Sequence, residues 1–135
     1  MKDIFRDKAV IVTGASSGIG EAVAREFARE GSKVMLAARS QEKLASITDE
    51  ITSSGGIADY VVTDVSVEND CRNLVNKTVE KFGTVDILIN NAGLSMRALF
   101  DDVDLDVIRR LMDVNFWGTV YCTKFALPYI VAGKG

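Results

Sequence analysis

The sequence has no histidine, a single proline and only two cysteines among its 135 residues. The missing imidazole removes the commonest metal ligand and the commonest general base at neutral pH. A zinc enzyme and a histidine-based triad are thereby excluded, and no metal is expected. Cys71 and Cys122 each fall inside a helical pattern, which reads as buried free thiols rather than a disulfide. No stretch approaches the roughly eighteen apolar residues of a membrane helix, so no membrane partner is expected. The opening "MKDIFRDKAV" interrupts its apolar residues with charges and offers no signal-peptide core, so a cytoplasmic address is expected. A basic stripe is missing too: acidic and basic residues are mixed along a chain of net charge −3. Nothing there neutralises phosphates in series, so nucleic acid is not an expected partner.

What is present is ordinary globular composition, 47% hydrophobic and 26% charged, which excludes disorder and low-complexity readings. The length suits one domain, residues 1–135, with no repeat or linker. "KAVIVTG" (8–14) is a short apolar run ending in a turn, as in a strand covered on both faces. From Ile19 apolar residues recur at helical spacing through Ala22, Val23 and Phe27, and Gly31 stops the pattern. "KVMLAA" (33–38) is a second buried strand. Ser40 then caps a helix whose face is Leu44, Ile47 and Ile51.

"IADYVVT" (57–63) gives a third strand, and a helix over about 67–82 carries Val67, Cys71, Leu74, Val75, Thr78, Val79 and Phe82 inward. "DILIN" (86–90) gives a fourth strand. A long helical pattern over about 105–130 follows, marked by Ile108, Leu111, Met112, Phe116, Thr119 and Val120, with Asn115 on the same inward stripe. Strands alternating with helices predict an α/β fold: a doubly wound, Rossmann-like parallel sheet in three layers.

The turn after the first strand, Thr13-Gly-Ala-Ser-Ser-Gly-Ile-Gly20, places glycines at 14, 18 and 20 where a helix begins. A helix start offers unpaired N–H groups and the positive end of its dipole, and glycines let phosphates approach the backbone. The alternative is a tight turn in which glycine only relieves packing. No Gly-Lys-Ser/Thr follows, so this is not a P-loop.

Thr-Gly-x-x-x-Gly-x-Gly resembles the cofactor motif of the short-chain dehydrogenase/reductase family. Three further stretches add to the resemblance: "DV" at 64–65, "NNAG" at 90–93, and Asn115 within "DVNFWG". The likeness covers essentially the whole chain. It implies that Gly14, Ser16, Ser17, Gly18, Ile19 and Gly20 cradle the pyrophosphate and adjoining ribose of a nicotinamide cofactor. It implies that Asp64 and Val65 recognise adenine, where Asp64 alone would read as a strand-end cap. Asn90, Ala92 and Gly93 match the segment lining the nicotinamide-side ribose, where "NNAG" alone would read as a turn. Asn115 matches an asparagine at a helix kink that holds a proton-relay water; the ordinary reading is an asparagine whose amide is satisfied by neighbours.

An acid after the second strand binds the ribose 2′-hydroxyl of NAD, whereas an Arg there pairs with the 2′-phosphate of NADP. The strand ends "AARS" with no acid from Val34 to Ser40, so Arg39 points to NADP rather than NAD. Otherwise Arg39 is a solvated loop cation.

The family's acid/base pair, Tyr-x-x-x-Lys, is absent; Tyr121 and Lys124 are spaced three apart and lie upstream of its usual place. The resemblance is therefore to an N-terminal half, with strand order 3-2-1-4 and the later strands missing. The expectation is an NADP-dependent oxidoreductase of a small carbonyl or alcohol substrate, present as its cofactor-gripping half, which binds the dinucleotide without efficient turnover. The competing reading is a non-catalytic, redox-sensing dinucleotide module. An uncovered fourth strand and an apolar long helix further suggest a homo-oligomer.

Overall fold

The computed structural model describes residues 3–135. Four strands form one parallel sheet: β1 (Ala9–Thr13), β2 (Lys33–Ala38), β3 (Ile57–Val62) and β4 (Ile87–Ile89), in the order β3-β2-β1-β4. Crossover helices α1 (Gly18–Arg29), α2 (Gln41–Ser53) and α3 (Glu68–Phe82) join them. After β4 come a short 3₁₀ turn (Phe100–Asp102) and α4 (Leu105–Met112). A π-helical turn (Asp113–Trp117) carries α4 into α5 (Gly118–Ala132). The doubly wound arrangement expected from the alternating pattern is the one observed.

The pleat splits the core into two faces. Val10, Val12, Val34 and Leu36 point to one side and meet Ala24, Ala28, Leu44, Ile47 and Ile51 of α1 and α2. Ile11, Met35 and Ala37 point to the other and meet Cys71, Leu74 and Val75 of α3 and Cys122 and Ala126 of α5. Such alternation follows from the two-residue period of a strand. β1 is buried along its whole length because it is central, whereas Ile57 and Val62 of the edge strand β3 are about half exposed. In register, Ile11 stands opposite Met35 and Leu88. Ser40 caps α2 as expected, its hydroxyl accepting from the Lys43 amide at 3.4 Å.

The sequence pattern misjudged the long helix. Its buried residues are Val114, Gly118, Cys122 and Ala126, four apart, and this small-residue row packs on the α3 side of the sheet. A Cβ on Gly118 would stand 2.7 Å from the Val65 side chain, so the row is small because the approach is close. Met112, Phe116, Thr119, Val120 and Asn115, all placed inward by the periodicity, are exposed. Apolar residues surround α5 on every side, and the π turn inserts an extra residue that rotates the faces on either side of it. Val67, also expected inward, instead precedes α3 and is 43% exposed. Among the described residues, no helix is long and apolar enough to cross a membrane.

Candidate functional site

The sheet order reverses beside β1, whose neighbours β2 and β4 lead to opposite flanks. In open α/β sheets the crevice at the carboxyl ends of the strands, at that reversal, is where ligands bind. A cleft of about 400 Å³ lies there. Its floor comes from the ends of β1 and β2, its far wall from Thr63, Asp64 and Val65 after β3, and its near wall from the loop after β4.

One hydroxyl joins the two central strand ends. Thr13, 1% exposed, accepts hydrogen bonds at Oγ1 from the amides of Asn91 and Ala92, each at 3.0 Å. The Asn91 side-chain nitrogen in turn donates to the Gly14 carbonyl at 3.2 Å. Gly14 adopts φ +63°, and a Cβ there would lie 2.8 Å from the Ala92 Cα, so both conformation and space require glycine. A Cβ on Gly20 would overlap the Gly14 carbonyl and the Asn91 side chain.

Gly18 differs, since nothing stands within 4 Å of the Cβ it lacks. Ser17, the residue before α1, makes no side-chain capping bond. The first amides of α1 are thus left without a protein cap, with open space beside the turn. That is the donor arrangement an anion satisfies.

At the far wall, the Asp64 carboxylate accepts at one oxygen from the Ser66 hydroxyl (2.6 Å) and the Ser66 amide (3.0 Å). The Ser66 hydroxyl holds its pKa below the ordinary carboxylate value against the opposing effect of burial, aided by the Ser66 amide, Arg110 and Arg39. Asp64 is ionised, and its other oxygen has no protein donor among the described residues. Val65 is fixed from behind, its carbonyl accepting from the buried Cys71 thiol at 3.3 Å. The neighbouring Cys122 thiol and burial push Cys71 upward, so it stays protonated. Both cysteines are free and buried.

Of the residues singled out by sequence, the cleft gathers Gly14, Ser16, Ser17 and Arg39 on one side and Asp64, Val65, Ala92 and Gly93 on the other. Gly18, Ile19 and Gly20 stand behind this lining in the first turn of α1, and Ile19 is 76% exposed. Asn90 turns away, donating to the Thr123 hydroxyl at 3.2 Å. Asn115 lies in the π turn and bonds the backbone of Leu94, itself a cleft residue. Sequence reading passed over Asn91, Lys43, Leu94 and Val114. The duplicated asparagine of "NNAG" was a usable signal for Asn91, but the other three carry none. Tyr121 and Lys124 do not line the cleft; Tyr121 packs beside Trp117 with ring centroids 5.8 Å apart. Among the described residues, no group of His, Cys, Asp and Glu gathers to hold a metal.

Residues 8–135 match the short chain dehydrogenase family. The chain belongs to that family. It is 44% identical to 11-beta-hydroxysteroid dehydrogenase A of Sesamum indicum over 131 residues, covering 95% of this chain and 37% of that protein. It is 42% identical to 11-beta-hydroxysteroid dehydrogenase-like 2 of Arabidopsis thaliana, covering 95% and 42%. A Caenorhabditis elegans short-chain dehydrogenase/reductase of unknown function, solved with cofactor, superposes with TM-score 0.90 at 36% identity, over 97% of this chain and 51% of that one. A Serratia marcescens short-chain dehydrogenase/reductase double mutant superposes with TM-score 0.89 at 28% identity, over 93% and 52%. The chain thus spans about half or less of the length of these relatives.

Proposed function

We propose that this chain is the cofactor-gripping part of an NADP-dependent oxidoreductase that moves hydride between the cofactor and a small carbonyl or alcohol substrate. The observation that carries this reading is the cleft at the sheet's reversal, with uncapped α1 amides and an ionised carboxylate at separate points of it. The cradle fits a dinucleotide. Gly14 and Gly20 let the turn pack closely against the segment after β4, Gly18 leaves open space beside the turn, and the α1 amides supply donors for a diphosphate. Asp64 offers its spare oxygen and Val65 its backbone to the adenine edge, while Ala92 and Gly93 border the nicotinamide-side ribose.

Arg39, just past β2 and lining the cleft, supports NADP, because a guanidinium pairs well with a 2′-phosphate and an acid is missing there. When bound, the nicotinamide ring supplies or accepts the hydride. Asn115 acts on this site by positioning: its amide holds Leu94, and its oxygen would lie 3.2 Å from a Cβ on Gly93. Names of relatives as hydroxysteroid dehydrogenases are in keeping with an alcohol or ketone substrate.

This sequence contains no Tyr-x-x-x-Lys, so binding without efficient turnover is expected of the chain itself. The same lack is what favours the second reading, a non-catalytic dinucleotide module. A cytoplasmic location and self-association go with the first. Calorimetric titration with NADPH and NADH side by side tests the proposal. NADPH should bind more tightly, and Arg39→Ala should weaken NADPH more than NADH. Equal affinities, or a preference for NADH, would remove the NADP assignment; carbonyl reduction by a longer form of the chain, but not by this one, would separate enzyme from module.

A further inference from the structure

We infer that Lys43 is a second determinant of dinucleotide choice, meeting the 2′-phosphate together with Arg39. The inference rests on the NADP reading above and names a residue that the sequence motifs did not. Lys43 lines the same cleft as Arg39 and Ser40, and it reaches it from a different element, the first turn of α2. That turn is fixed by Ser40, whose hydroxyl accepts from the Lys43 amide at 3.4 Å. The stem of Lys43 therefore starts from a defined place at the cleft's rim rather than from a loop.

Lys43 is exposed at the cleft's rim, and its charge is not drawn to any acid of the protein. A cation in the first turn of a helix opposes the helix dipole, which favours anions there. Neither Lys43 nor Arg39 forms an ion pair among the described residues, although eight such pairs occur elsewhere on the surface. Two unpaired cations bordering one cleft beside a helix start become favourable together when a dianionic phosphate stands between them. The two contribute differently: the guanidinium offers a planar fork, and the ammonium a compact charge with three rotatable donors. Asp64, the acid on the opposite wall, accepts from Ser66 at one oxygen and forms no ion pair with Lys43 among the described residues.

The test compares NADP⁺ with NAD⁺, which differ only in that phosphate, by calorimetric titration of the full chain and its Lys43→Ala, Lys43→Arg and Arg39→Ala variants. Lys43→Ala should raise the Kd for NADP⁺ about fivefold while leaving NAD⁺ within about twofold, and Lys43→Arg should keep most of the NADP⁺ affinity. The NAD⁺ titration reports whether each variant is folded. An unchanged NADP⁺ Kd in Lys43→Ala, or a parallel loss for both dinucleotides, overturns the role of Lys43. If Arg39→Ala abolishes the preference and Lys43→Ala keeps it, the NADP reading stands and Lys43 falls. If the unaltered chain binds both dinucleotides equally, or binds neither, both fall.

Discussion

Asn115 clasps Leu94 at both backbone groups: its oxygen accepts from the Leu94 amide at 2.7 Å, and its nitrogen donates to the Leu94 carbonyl at 2.8 Å. The pair ties the π turn between α4 and α5 to the segment that leaves β4 through Gly93. A helix side chain thus holds the loop bordering the cleft.

Removing that clasp should loosen the loop more than the fold. Asn115→Ala is expected to cost about 1 kcal/mol in urea unfolding, the lower part of the range because the site is exposed. Hydrogen exchange at the Leu94 amide should rise well beyond that of β1 amides. Asn115→Asp keeps the acceptor and loses the donor, so its effect should be intermediate. Unchanged exchange at Leu94 in Asn115→Ala would show that the clasp holds nothing.

Thr13 is the more costly position. Its hydroxyl serves two amides, Asn91 and Ala92, and is itself buried. Thr13→Val keeps the shape, strands the Ala92 amide and leaves the Asn91 amide with only the Ile89 carbonyl at 3.1 Å, so a loss of about 1–3 kcal/mol is expected, with Thr13→Ser losing less. Chemical denaturation of the two variants checks this, and equal stability for Val and Ser would count against the two-amide arrangement.

Strands were read more reliably than helix faces, for a physical reason. β1 and β2 are central and buried on both sides, so their apolar runs had one interpretation. The glycines at 14 and 20 were legible because close backbone approach leaves a residue-type signature. α5 had no such signature: it buries Gly118, Cys122 and Ala126, while the bulkier Leu127, and Phe116 in the π turn before it, stay outside. Hydrophobicity ranks those faces in the wrong order, since close packing selects small residues over apolar ones. Lys43 was illegible because a lysine in a helix is ordinarily a solvated charge, and only the cleft gives it company.

Acid should act partly through Asp64. Its native pKa is lowered, so the stabilisation it contributes is present above the unfolded carboxylate value, about 3.9, and is lost as pH falls through the lower native value. Asp64→Asn should therefore flatten part of the decline in stability below pH 4 while leaving a smaller stability at neutral pH. Denaturation midpoints measured from pH 7 to pH 2 check the sign. A decline as steep in Asp64→Asn as in the unaltered chain would contradict it.

Exposed apolar surface gathers after β4. Phe116 is 50% exposed, Trp117 44%, Leu127 48% and Val131 65%, and β4 ends the sheet with one side unpaired. Association through this region is expected, with a mass in light scattering that grows with concentration and falls in Phe116→Glu. A concentration-independent monomer would argue against it.

The grip on a diphosphate is tested most directly by following backbone amide resonances of the labelled chain during titration with NADPH. Saturable shifts should centre on Gly14 and residues 16–20, with a second group at Asp64 and Val65 and little change in the α1–α2 face of the core. Absence of saturable shifts at the start of α1, or shifts confined to the exposed face of α4 and α5, would contradict the assignment of this cleft.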